Sequence, residues 1–124
     1  MSSDVVTYNG HSGMGINIES WMKLYPIPKD KYQIIFLNSC DTYGYFMNDF
    51  FNRFSTVNQA KNSSEFLDVI LNATPNYFGT FADSNLNIIL GLLNGLNFDE
   101  ILRKLPITQH SLLLHESALE LGDQ

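Results

Sequence analysis

The apolar positions of the chain fall into short blocks, and their spacing changes from block to block. Val5, Val6 and Tyr8 make a strand of residues 4–9, which runs into the glycine-rich stretch Gly10-His11-Ser12-Gly13-Met14-Gly15. Ile18, Trp21 and Met22 lie on one side of a short helix over 18–24, ended by Pro26 and Pro28. Residues 33–38 hold a continuous apolar run, Ile34-Ile35-Phe36-Leu37, the mark of a strand covered on both faces. From Asp41 or Thr42 to Ser55, the residues Tyr43, Met47, Phe50, Phe51 and Phe54 recur at helical spacing, and a polar loop follows from Gln59 to Ser64. Ser63-Ser64-Glu65 could cap a helix over Phe66, Leu67, Ile70 and Leu71. A strand at 66–72 is preferred, because Thr74-Pro75-Asn76 follows at once and the alternation of elements calls for one. Leu86, Ile89, Leu90 and Leu93 follow the i, i+3, i+4, i+7 pattern of a buried helix stripe, closed by Gly95. Phe98, Ile101, Leu102 and Leu105 repeat that pattern behind a capping pair, Asn97 and Glu100, and Pro106 stops it. Ser111 to His115 reads as a last strand, with a polar tail from about residue 117.

This order predicts an α/β fold: a mostly parallel sheet of about four strands with helices on both faces. The 124 residues suffice for a single domain, 1–124, and are too few for two cores. Hydrophobic content of 44% and aromatic content of 13% make it globular. The net charge of −6 and the scattered basic residues leave no stripe to neutralise phosphates, which argues against nucleic acid and an anionic membrane surface as partners. One cysteine excludes an intrachain disulfide and any cysteine-rich metal site. No secretory signal or membrane-spanning run is visible, so the expected location is cytoplasmic by default, and the sequons at Asn62 and Asn72 carry little weight.

Two residues carry chemistry. His11 follows the first strand and Cys40 follows the second, in Asn38-Ser39-Cys40-Asp41-Thr42. If the strands are parallel neighbours, both emerge at the carboxyl edge of one sheet, where open α/β sheets place their sites. A His beside a lone Cys is the minimum equipment for thiolate catalysis. The plainer readings are a buried small hydrophobe for Cys40 and a backbone-bonded structural residue for His11. No ligand-spaced partner supports a metal at His11, and no Lys-Ser/Thr follows the glycines to make a nucleotide loop. Asp41 would disfavour a neighbouring thiolate by like charge, although it suits a helix start. His110 and His115 face opposite sides of the last strand and read as surface or hydrogen-bonding residues.

Three segments carry a family resemblance: Asn9-Gly10-His11-Ser12-Gly13-Met14-Gly15, Ile34-Ile35-Phe36-Leu37-Asn38-Ser39-Cys40-Asp41-Thr42, and Phe66 to Phe78 with its Thr74-Pro75-Asn76-Tyr77 turn. In their order and spacing the chain resembles the caspase-like (caspase–hemoglobinase) cysteine peptidases over roughly residues 4 to 95. The resemblance implies a His11/Cys40 catalytic dyad, an oxyanion hole of the Ser12 and Cys40 backbone N–H groups, and pocket candidates Thr74, Tyr77, Phe78 and Phe81. It implies a peptide or protein substrate and no cofactor or metal. Ser12 stands where the family usually has Gly, and Phe81 where caspases place an arginine for a substrate aspartate, so aspartate-directed cleavage is not implied. Such domains begin with two strands and a helix ahead of the His strand; this chain begins almost on it. A fragment or trimmed member is therefore expected, with an exposed edge at 4–9 through which copies self-associate. The competing reading is a catalytically inactive caspase-like module acting through protein contacts.

Overall fold

A computed structural model describes residues 3–62, 65–72, 79, 81–105 and 111–114. Three strands, β1 (Val5–Asn9), β2 (Gln33–Asn38) and β3 (Leu67–Asn72), run parallel and in that order, and β4 (Ser111–Leu114) pairs antiparallel with β3. Helix α1 (Ile16–Leu24) crosses from β1 to β2; α2 (Thr42–Tyr45) and α3 (Asp49–Asn58) cross from β2 to β3; α4 (Phe81–Leu93) and α5 (Phe98–Arg103) precede β4. The strands at 4–9, 33–38 and 66–72 thus form where the apolar pattern places them.

Strand alternation divides the core. Ile35, Leu37, Leu67, Val69 and Leu71 face Ile18 and Met22 of α1 and Phe50, Phe51 and Phe54 of α3. Ile34, Phe36 and Ile70 face Ile88 of α4 and Ile101 of α5. Every residue of β2 is buried, which is why its middle, Ile34-Ile35-Phe36-Leu37, is an unbroken apolar run rather than an alternation. The one polar residue at its start is satisfied: Tyr25 Oη donates to Gln33 Oε1 at 2.6 Å, and Gln33 Nε2 donates to the Ser3 carbonyl at 2.8 Å.

Two helical expectations are corrected. The helix expected from Asp41 or Thr42 to Ser55 is broken at residues 46–48 into α2 and α3. Phe46 turns extended (φ −68°, ψ 133°), and its ring packs edge-on against Phe50 and Phe51, with centroids at 6.1 and 5.7 Å. Aromatic packing overrides continuation of the helix. In α4 the expected buried stripe faces out: Leu86, Ile89, Leu90 and Leu93 are 55%, 43%, 45% and 78% exposed. Ser84, Ile88 and Gly91 face in instead. A Cβ on Gly91 would lie 2.6 Å from Ile101 Cγ1, so the small residues of α4 let α5 come close, and that contact sets the rotation of the helix. The cap on α5 forms as expected, with Asn97 Oδ1 accepting from the Glu100 N–H at 2.9 Å. Gly95 follows α4 at φ +73°, closing it as its position suggests.

Candidate functional site

The register of β1 on β2 pairs Asn9 with Asn38. His11 and Cys40 each lie two residues beyond that pair, at the same carboxyl edge and on neighbouring parallel strands. His11 is exposed and Cys40 is half-buried. The structure therefore brings the two sequence-derived candidates to one edge of one sheet.

Both loops are held in place by hydrogen bonds. The His11 carbonyl accepts from Tyr8 Oη at 2.8 Å and from Asn17 Nδ2 at 3.0 Å. The Ser12 carbonyl accepts from the N–H groups of Gly15 (3.1 Å) and Asn17 (3.0 Å), so the loop closes directly onto the first turn of α1. Ser12 itself is buried. On the other strand, Thr42 Oγ1 donates to the Leu37 carbonyl at 3.0 Å and accepts from the Asn72 N–H at 2.8 Å. Asp41 sits in the left-handed region at φ 50°, which turns the chain sharply just after Cys40. Asp is among the few side chains that tolerate this conformation. Gly15 (φ +95°) joins the two loops: a Cβ there would lie 2.7 Å from Tyr45 Cδ1, so the His11 loop packs against the helix that follows Cys40.

Beneath the loops runs a row of asparagines that reasoning from the sequence missed. Asn9, Asn38 and Asn72 are the last residues of the three parallel strands. Asn38 Nδ2 donates to Asn9 Oδ1 at 3.0 Å, and Asn72 Nδ2 donates to Asn38 Oδ1 at 3.2 Å. Asn85 of α4 adds a donor to Asn9 Oδ1 at 2.9 Å, while its own Oδ1 is buried with no hydrogen-bond partner among the described residues. The row continues to the loop ahead of Cys40: Asn72 Nδ2 donates to the Ser39 carbonyl at 3.1 Å, and Ser39 Oγ donates to the Gly10 carbonyl at 2.7 Å. Asn38, Ser39 and Asn72 are fully buried. A signal was present in the sequence: each of the three apolar runs ends in Asn followed by a small residue, as Asn9-Gly10, Asn38-Ser39 and Asn72-Ala73.

The remaining candidates are less fully placed. Phe81 opens α4, whereas Thr74, Tyr77 and Phe78, with His110 and His115, lie outside the described residues. Both arginines are engaged elsewhere. The Arg53 guanidinium donates to the carbonyls of Met22 and, at 3.0 Å, Tyr25, closing the C-terminus of α1, and lies 5.7 Å from the Phe50 ring centroid. Arg103 pairs with Asp99 at 2.9 Å on the surface. A groove lined by Met22, Met47, Phe50 and Arg53 lies on the flank between α1 and α3, and neither His11 nor Cys40 lines it. Among the described residues no cluster of His, Cys, Asp or Glu could hold a metal ion, and no helix is long and apolar enough to cross a membrane. Comparison with protein-family models, characterised proteins and solved structures finds no match to this chain.

Proposed function

We propose that the chain is a caspase-like cysteine peptidase domain in which His11 and Cys40 form the catalytic dyad. The observation that carries this reading is the parallel register Asn9↔Asn38, which puts both residues at one carboxyl edge. The Cys40 thiolate attacks the carbonyl carbon of a peptide bond, and a carbon–sulfur bond forms. Backbone N–H groups of Ser12 and Cys40 hold the oxyanion. His11 passes a proton to the leaving amine as the carbon–nitrogen bond breaks. It then takes a proton from water, which attacks the thioester and frees the thiol. No cofactor enters this chemistry. Arg53 is bound to carbonyls and Arg103 to Asp99, which supports a primary specificity that is not aspartate-directed.

The test is alkylation of Cys40 by a neutral reagent as a function of pH. A dyad keeps the thiol reactive well below ~8.5, where an isolated thiol ionises. Labelling that rises only near that value would sink the proposal. The second reading, an inactive module acting through protein contacts, is favoured by the exposed row Leu86, Ile89, Leu90 and Leu93 on α4. It predicts free-thiol labelling together with peptide-independent binding to a partner.

A further inference from the structure

We infer that Ser39 is the positioning residue of this dyad, its hydroxyl setting the spacing between the Cys40 and His11 loops; the inference rests on the peptidase reading above. Ser39 immediately precedes Cys40, and Gly10 immediately precedes His11. The bond from Ser39 Oγ to the Gly10 carbonyl, at 2.7 Å, therefore ties together the residues immediately preceding the two candidate catalytic residues. The bond lies beyond the paired residues Asn9 and Asn38, where the β1–β2 ladder has ended and no longer controls the separation.

Ser39 is itself fixed from two further directions. Its carbonyl accepts from Asn72 Nδ2 at 3.1 Å, and its N–H donates to the Leu37 carbonyl at 3.1 Å. Asn72 is anchored through its own N–H to Thr42 Oγ1 and through Nδ2 to Asn38 Oδ1. The serine hydroxyl thus projects from a turn clamped onto β3 and reaches across to β1. A fully buried side chain with one short, well-directed bond has little freedom to adopt another rotamer. Catalytic groups need sub-ångström placement by such supporting bonds, because a displacement of about 1 Å costs on the order of a hundredfold in rate. Ser39 touches no substrate in this scheme and acts only through the placement of its neighbours.

The test uses the full chain and iodoacetamide alkylation of Cys40, measured at about pH 6 and about pH 9, in wild type, His11→Ala, Ser39→Ala and Ser39→Thr. Melting curves are recorded for each. The expected result is a drop in alkylation at the lower pH of roughly tenfold or more for His11→Ala, with Ser39→Ala close behind and still melting cooperatively. Ser39→Thr, which keeps the hydroxyl, should return to within about threefold of wild type, while all four agree at the higher pH, where the thiol ionises without help. If His11→Ala lowers alkylation and Ser39→Ala matches wild type, the dyad stands and the positioning role is overturned. If His11→Ala also matches wild type, the dyad reading fails and takes this inference with it. A Ser39→Ala chain that does not fold would overturn it as well, since the bond would then hold the sheet rather than set the pair.

Discussion

Gly15 and Cys40 show how differently single residues bear on this site. Cys40 is half-buried at a strand end, so under the proposed peptidase reading Cys40→Ala should remove any peptide cleavage while changing stability by only about 1 kcal/mol. Denaturant titration beside a peptide-cleavage assay checks this, and loss of folding would mark a structural cysteine. Gly15→Ala should cost more, about 1–3 kcal/mol, because its left-handed φ strains any side chain and its Cβ would meet the Tyr45 ring at 2.7 Å. A Tyr45→Ala partner should recover part of that loss; no recovery would mean that the backbone conformation, not the ring, sets the cost. Among the described residues, Tyr25 and Tyr32 bear on behaviour in alkali. Burial raises the Tyr25 hydroxyl, partly offset by its bond to Gln33. Burial and the neighbouring Asp68 carboxylate raise Tyr32 further. Above about pH 10 the unfolded chain releases these protons while the folded chain keeps them, so stability is full below that value and falls as pH rises. Ultraviolet titration of tyrosinate should show that Tyr25 and Tyr32 ionise late, their signals identified by Tyr25→Phe and Tyr32→Phe variants, and Tyr32→Phe should flatten the alkaline loss of stability.

Among the elements, α4 and α5 form the pair whose contacts decide most. Gly91 admits Ile101, and this contact rotates the leucines of α4 outward. The periodicity of Leu86, Ile89, Leu90 and Leu93 correctly reports a helix, because an apolar spacing of three and four residues fits only that period. It does not report which face is buried, because a neighbour that fits a glycine can outcompete one that fits a leucine. The break between α2 and α3 has a similar origin, since Phe46 leaves the helix to join the ring cluster around Phe50. The cap of α5 is purely local and was legible for that reason. Asn97→Ala should lower stability by about 1 kcal/mol, with the loss seen in chemical denaturation. An unchanged midpoint would mean that the packing of Ile101 holds this short helix without its cap.

At the scale of the whole molecule, β1 is the end of the sheet among the described residues. The Asp4 carbonyl accepts from the Ile34 N–H at 2.9 Å, so in a parallel ladder the N–H and C=O groups of Val5, Thr7 and Asn9 point away from β2. No described strand takes them. The strand has no lysine, proline or bulge to discourage pairing, and its five residues are uncharged although the chain carries −6. Beside it lies an apolar groove lined by Val6, Trp21, Leu24, Tyr25 and Pro26. The isolated chain is expected to self-associate through this edge, as a rising weight-average mass in sedimentation equilibrium. Thr7→Pro removes an outward N–H without touching the β2 ladder and should restore a monomer. A monodisperse wild-type monomer at high concentration would show that the edge is already covered.

The sequence alone determined what depends on neighbours along the chain. The apolar blocks at 33–38 and 66–72 became buried parallel strands, because runs of this composition gain most when both faces of a sheet are covered, and the block at 4–9 became a half-buried strand beside them. Their alternation with helices imposed the crossovers, and these placed His11 and Cys40 at one edge. Tertiary structure decided what depends on which surfaces meet. It chose the buried face of α4 through Gly91 and Ile101, and it ended α2 early through the rings around Phe50. It also assembled Asn9, Asn38 and Asn72 into one hydrogen-bonded row. Each of those asparagines resembles an ordinary turn residue in the sequence. Only the register of three strands brings each amide within 3.2 Å of its neighbour in the row, and side-chain amides bond across strands only at such separations.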